Sequence, residues 1–237
     1  MRLIRRRLSD DQSGFTLVEL ITAISIGMII ILAAFMVLDR TISASSQIAD
    51  RSDALAQGRQ AMSTITRELR SAVCVGNTFP IVAGTNSSVT FTADLTDGVS
   101  VANPIKQRQL SWNSTTGTLT ETVTPSTGPY PDLKFNGTTT SVQLLSKVDQ
   151  ILDQPGNVPR AMFRFYGYQT NTTNGTLVQL AAPLSATDLG RVAVIKVGFR
   201  SFAARPISND KNSAVLEEDV YTRSAVPTQL QGAPECI

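Results

Sequence analysis

The strongest pattern in the chain is an unbroken apolar run. From Phe15 to Leu38 the residues FTLVELITAISIGMIIILAAFMVL cover 24 positions and hold one ionisable side chain, Glu19. As an α-helix this run is about 36 Å long at 1.5 Å per residue, enough to cross a hydrocarbon core of about 30 Å. Beyond Asp39-Arg40 the composition turns polar, yet Ala44, Ile48, Leu55, Met62, Ile65, Leu69 and Val73 recur at spacings of three, four or seven. Such spacing makes a helix with one apolar stripe. The first proline is Pro80, so the pattern predicts a single helix from about Phe15 to about Val75, apolar all round over 15–38 and one-sided over 39–75. Gly58 is its weak point, at about 1 kcal/mol relative to alanine. The second stripe has to lie on something. A coiled-coil partner is the competing choice, but only about three heptads are visible and Ala, Gly and Met dilute them.

Residues 76–237 supply the other surface. They are rich in Ser, Thr, Gly and Asn and alternate short β-prone runs with turn signals, which predicts antiparallel sheet. Arg108–Trp112 and Thr118–Val123 flank a five-residue loop, Asn113–Gly117. Leu133–Phe135 and Ser141–Lys147 flank Asn136-Gly137, and Ala161–Tyr168 and Leu177–Leu180 bracket Asn174-Gly175, both favoured tight-turn pairs. In Arg191–Phe202 the apolar Ala193, Ile195, Val197 and Phe199 alternate with Lys196 and Arg200, so one face of that strand is core. The predicted fold class is α+β, one long N-terminal helix packed on an antiparallel sheet.

Charge refines the picture of the N-terminus. The 237 residues hold 21 basic and 19 acidic side chains. Residues 1–14 carry Arg2, Arg5, Arg6 and Arg7 against Asp10 and Asp11, so without them 17 of each sign remain. Arginines on one flank of a span stay in the cytoplasm, which orients the chain N-in and C-out. A cleaved secretory signal has an apolar region of only about 7–15 residues, and Ile42-Ser43-Ala44 is a poor cut site for one. A plain anchor leaves Glu19 unexplained, because a carboxylate at mid-membrane costs about 2.5–3.5 kcal/mol.

Ser13-Gly14-Phe15-Thr16-Leu17-Val18-Glu19-Leu20 resembles the prepilin cleavage and methylation motif of type IV pilins and type II secretion pseudopilins. The resemblance implies that 1–14 is a leader removed by a prepilin peptidase between Gly14 and Phe15, and that the new Phe15 amine is methylated. It also implies a pilin-like fold and other pilin or pseudopilin subunits as partners. The Glu19 carboxylate of one subunit can then neutralise the Phe15 amine of a neighbour inside a bundle of apolar helices, where either charge alone is expensive. The plainer reading of Glu19 is a polar residue at the interfacial end of the span, beside the positive end of its own helix dipole. The wording Gln60–Ala72, and more loosely the pattern over 60–225, resembles minor pseudopilins of the J type and minor pilins of the pilus tip.

The functional expectation is a minor pilin or pseudopilin. Residues 15–38 lie in the cytoplasmic membrane lipid, 39–75 form the amphipathic half of the helix, and 76–237 form an extracytoplasmic sheet domain. The subunit would serve a type IV pilus, a competence pilus or a secretion pseudopilus. The alternative is a tip adhesin or DNA-uptake module on the same anchor, to be told apart by exposed aromatics or a basic groove; Trp112, Tyr166 and Tyr168 are too few to decide. No specific nucleic-acid contact is indicated, because no Lys/Arg run occurs after residue 7. The chain has no His, which removes the commonest general base and transition-metal ligand.

No enzyme, metal or cofactor is expected. Ser208-Asn209-Asp210-Lys211 has Ser-x-x-Lys spacing but follows Arg205-Pro206 among turn-formers, without companion motifs. Asp94-Leu95-Thr96-Asp97-Gly98 and Glu217-Glu218-Asp219 offer oxygen ligands of the kind calcium takes; a solvated turn and a charged strand edge are the simpler readings. Asn86, Asn113 and Asn171 head Asn-x-Ser/Thr triplets, which carry little weight in a Ser/Thr-rich chain. The only two cysteines are Cys74 and Cys236. An even count in an exported domain suggests a disulfide, closing a loop of more than 160 residues worth about 4–5 kcal/mol. Two unpaired thiols are the alternative, since a sequence does not show whether the Cα atoms come within about 7 Å.

Overall fold

The computed structural model describes residues 14–76, 78–94, 105–154, 157–169, 176–203 and 212–222. The helix is there as one element, α1, spanning Leu17–Arg70. It begins where Thr16 accepts a 3.3 Å hydrogen bond on its hydroxyl from the Glu19 N–H, the contact of a helix N-cap with its third residue. It ends five residues before the expected Val75, where Ser71 N–H bonds back to the Arg67 and Glu68 carbonyls. By contact density the chain forms two compact units, 1–46 and 47–237, and the division falls within α1.

Within the second unit, five strands follow in a simple meander: β1 (Ile81–Gly84), β2 (Ser88–Asp94), β3 (Ile105–Asn113), β4 (Thr118–Pro125) and β5 (Thr140–Leu145), each antiparallel to the next. The β3–β4 hairpin turns at the expected place, with Asn113 opposite Thr118. Next come β6 (Val148–Asp149) and a small ribbon of β7 (Ile151–Asp153) and β8 (Val158–Arg160). A second antiparallel sheet is built from β9 (Phe163–Tyr168), β10 (Leu177–Leu180), β11 (Val192–Phe202) and β12 (Ser213–Tyr221), in the order β10-β9-β11-β12 with β6 on β11. A one-turn helix α2 (Ala186–Leu189), capped by the Ser185 hydroxyl, precedes β11. Ile65 and Leu69 of α1 share one buried cluster with Phe91, Leu110 and Leu119 of the first sheet and Phe163, Phe165, Ile195 and Phe199 of the second. The Trp112 indole N–H on β3 donates to the Val148 carbonyl at 3.1 Å, joining the two sheets.

Three local expectations change. The buried stripe of α1 is the expected one at Met62, Ile65 and Leu69 but not before them: Ala44 and Ile48 are exposed, Ile48 by 72%, and Leu55 is half-buried. The face turned inward is Asp50, Ala54, Gly58, Ala61, Met62, Ile65, Thr66, Glu68 and Leu69. Small residues dominate its first turns because the helix passes close to the second sheet. A Cβ on Gly58 would lie 2.5 Å from Leu216 Cδ1 and 3.1 Å from Ser201 Cβ, so the residue that weakens the isolated helix allows its approach.

Asn136-Gly137 does not turn a hairpin between 133–135 and 141–147. Residues 126–139 instead carry the chain from β4 back to β5 on β4's own edge. Lys134 bridges Thr127, and Gly137 N–H bonds to the Pro125 carbonyl. With β4 as its partner, β5 has no use for a strand at 133–135.

β11 is buried on both faces along most of its length rather than on one. A Cβ on Gly198 would lie 3.1 Å from Ile151 Cδ1, which shows the β7–β8 ribbon covering the outer side. The β9–β10 pairing runs as expected, from Leu177 opposite Tyr168 to Leu180 opposite Phe165.

Gly167, on β9 where the β9–β11 register shifts, allows no side chain, because a Cβ there would meet the Arg191 carbonyl oxygen at 2.6 Å. Backbone cannot rotate aside as a side-chain tip can. Gly167→Ala is therefore expected to destabilise the domain by about 1–3 kcal/mol, read as a lower midpoint in chemical denaturation. An unchanged midpoint would show that the Arg191 backbone yields freely.

Candidate processing and assembly site

The N-terminal site is built by one turn of helix and the residues before it. Gly14, Phe15 and Thr16 precede α1, and all are exposed, Phe15 by 82%. An uncovered Gly14–Phe15 bond outside the helix is what an endopeptidase needs to reach. Thr16 and Glu19 stand in the Ser/Thr-x-x-Glu relation of a capping box, which starts the helix and places an acid in its first turn, where the dipole favours it. The Glu19 carboxylate has no ion-pair partner among the described residues, and Leu17, Val18, Leu20, Ile21 and Ile24 around it are exposed.

The span that follows keeps its hydroxyls satisfied internally. Ser25 donates to the Ile21 carbonyl at 2.8 Å and Thr22 to that of Glu19 at 2.9 Å, as an apolar solvent demands. No part of its most apolar 18-residue window is buried. A 54-residue helix with a wholly uncovered apolar half requires lipid or other helices around it.

Residues 10–35 match the family model of the prokaryotic N-terminal methylation motif. The chain is type IV pilin-like. The motif, the uncovered apolar half-helix and the antiparallel sheets on its second half make this pilin-like protein α+β, as its sequence led one to expect. The motif implies processing by a prepilin peptidase and assembly with other pilin subunits, and it points to a structural subunit. No curated protein matches this pilin-like chain.

The other sequence candidates fall as follows in the pilin-like fold. Glu217 pairs with Arg160 and Arg164, Asp219 with Lys196, and Glu218 with Arg70, so these three carboxylates serve strand-to-strand and strand-to-helix contacts. Asp94 ends β2, while Asp97 and Gly98 lie outside the described residues. So do Ser208–Lys211 and Asn171. Asn113 Oδ1 accepts from the Thr115 and Thr116 N–H groups, holding the β3–β4 turn. Cys74, just past α1, is disulfide-bonded; Cys236 lies outside the described residues.

One electrostatic feature escaped the sequence. Glu68 of α1, Arg108 of β3 and Glu121 of β4 are all buried, Glu68 to 2% exposure. Arg108 Nη1 lies 3.4 Å from Glu68 Oε1 and closer still to Glu121 Oε1. Two carboxylates face one guanidinium, and Glu68 Oε2 and Arg108 Nε have no hydrogen-bond partner among the described residues. Burial, then the neighbouring Glu121, push the Glu68 carboxyl up to about 7 against the pull of Arg108 and Arg67.

The folded state thus holds a proton on Glu68 that the unfolded chain releases near the ordinary carboxyl value of 4.5. The extra stability is full below about pH 4.5 and is lost as pH rises to about 7, on the order of 3 kcal/mol in all. Glu68→Gln is expected to flatten that slope in denaturation measured at several pH values. A wild-type profile with no fall between pH 4.5 and 7 would contradict the assignment.

Proposed function

We propose that this protein is a minor pilin or pseudopilin, made as a prepilin and assembled through α1 into a type IV pilus, competence pilus or secretion pseudopilus. The observation that carries this reading is the methylation motif running directly into a membrane-length helix whose apolar stretch is uncovered among the described residues. In this reading the peptidase cuts between Gly14 and Phe15, the Phe15 amine is methylated, and residues 15–38 sit in the cytoplasmic membrane, N-in and C-out. A mature chain of 223 residues is large for the repeating subunit of a filament, which favours the minor role. The Glu19 carboxylate, unpaired within its own chain among the described residues, then answers the Phe15 amine of a neighbour. Trp112 gives its indole N–H to Val148, and Tyr166 lies under Lys196 with the ammonium 5.4 Å from the ring centre, so two of the three aromatics that would suit an adhesin are engaged at home.

Intact-mass measurement of the membrane-extracted protein tests the processing step. The expected product begins at a methylated Phe15, and a bulky charged replacement of Gly14 leaves the arginine-rich leader attached. A mature N-terminus at Met1, or one near Ser45, would end the prepilin reading.

A further inference from the structure

The first sheet turns one face to the core and the other away from it. Val89 and Phe91 of β2, Leu110 of β3 and Leu119 of β4 are buried in one cluster with Ile65 and Leu69 of α1, so their neighbours along each strand point outward. Every outward position within 88–90, 107–111, 118–124 and 141–143 is Ser, Thr or Gln, and each is exposed or half-buried. A typical exposed surface is roughly a quarter to a third charged. These positions carry no charge, and no aromatic or aliphatic side chain either.

The strand register lines these side chains up. Thr90, Gln109, Thr122 and Ser141 form one row across four strands, and Gln107 stands opposite Thr124 in the next. Between the two rows lies a depression of about 230 Å³, with Thr90, Gln107, Gln109, Thr122 and Thr124 around it. On the β4–β5 side the hydroxyls satisfy one another, Thr122 with Ser141 at 3.1 Å and Thr124 with Thr139 at 3.2 Å. The Thr90 hydroxyl and the Gln107 and Gln109 amides have no side-chain hydrogen bond among the described residues.

We propose that this face binds a neutral β-linked polysaccharide, the chain lying across the strands over the row of Thr90, Gln109, Thr122 and Ser141. Each hydroxyl and each carboxamide can both donate and accept a hydrogen bond, as the hydroxyls of a sugar can. Neighbouring strands are about 4.8 Å apart, close to the advance of one β-linked pyranose along its chain, so successive rings fall over successive strands. The depression admits the ring over β3 and brings Gln107 and Thr124 to its second edge. A polyanion, whether DNA or an acidic glycan, needs lysine or arginine to meet it. A protein partner buries aromatic or aliphatic side chains at the centre of its contact. The face offers neither.

Because the face is uncharged, binding does not weaken with salt as ion-paired contacts do. Because no aromatic ring stacks on the sugar, hydrogen bonds alone hold each ring, and affinity rises with the number of rings up to the four strands of the row. The site lies wholly within the second compact unit, 47–237, and is independent of the filament role.

The test sediments the full-length protein, in a detergent without a sugar headgroup, with cellulose, chitin, starch or calcium alginate particles, and reads the bound fraction at low and high salt. The expected result is retention on cellulose or chitin at both salts, with little on starch or alginate. Competition by cellotetraose or by chitotetraose then tells the two β-linked polymers apart. Gln107→Leu with Gln109→Leu should weaken binding at least tenfold, at about three- to tenfold for each hydrogen-bonding side chain lost, with an unchanged melting midpoint. Thr90→Val keeps the shape and strand preference of the residue and should weaken binding about threefold; it decides the matter if the double variant melts early. No retention on either β-linked polymer, retention that salt removes, equal retention on starch or alginate, or wild-type binding by the variants overturns the site. A double variant that breaks up an oligomer while glycan retention stays the same also overturns it, and makes the face a contact between copies.

Discussion

Replacing Arg108 by methionine is expected to lower stability at pH 8 by about 3–5 kcal/mol, the usual loss when one member of a buried charged group is removed. The reason lies in what remains. Glu68 and Glu121 would face each other without the guanidinium that now bridges them, in a site where the three residues are each less than a tenth exposed. For a domain of this size the loss corresponds to a fall of roughly 6–20 °C in the midpoint of thermal unfolding. At pH 5 the fall should be smaller, because Glu68 already holds its proton there and does not need the cation to compensate it. The triple change Arg108→Met, Glu68→Gln, Glu121→Gln should recover much of the loss at pH 8, since no buried charge is left uncompensated. Circular dichroism of the full chain in micelles reads all three. Arg108→Met melting within about 2 °C of wild type at pH 8 would mean that water or rearrangement reaches the carboxylates.

The helix, its membrane half and the methylation motif were legible because each is a local signal: an unbroken apolar run, a missing proline, eight consecutive residues. The buried stripe was legible at Met62, Ile65 and Leu69 and not in the turns before them. Periodicity weighs large side chains, and the turns it missed bury Ala54, Gly58 and Ala61, with Gly58 pressed so close to Leu216 and Ser201 that its smallness is the point. Glu68 reads as a surface residue until Arg108, forty positions later, is placed beside it by the β2–β3–β4 meander; nothing local announces that. Asn136-Gly137 illustrates the reverse error. Its turn propensity is real, but pairing between β4 and β5 left no partner for a strand at 133–135. For β11, alternation showed one buried face and could not show the ribbon at Ile151 that covers the other.

Of the candidate site, Gly14, Phe15 and Glu19 came from the motif, whereas Thr16 as the cap that starts the helix needed the hydrogen bond to be seen. The capping box was nonetheless present in the wording Thr16-Leu17-Val18-Glu19, hidden because the same residues were read for cleavage.

Glu19→Gln is expected to leave membrane insertion and leader removal intact and to weaken assembly by about 3–5 kcal/mol per contact where the pair is fully buried. Insertion depends on the apolar run and the flanking arginines, and cleavage on Gly14; the substitution touches neither. On the proposed pairing, what disappears is the charge that would compensate a neighbour's Phe15 amine in lipid, where an uncompensated ion is costly. The amide keeps some hydrogen bonding, so a residue of assembly should survive. The direct measurement is crosslinking or co-purification of the processed protein with its pilin partners from membranes, mutant against wild type at matched expression. The account predicts a cleaved, membrane-inserted Glu19→Gln chain that recovers at most about a tenth of the partners. A cleaved mutant that recovers them as well as wild type would contradict it and return Glu19 to the role of a polar residue at the membrane edge.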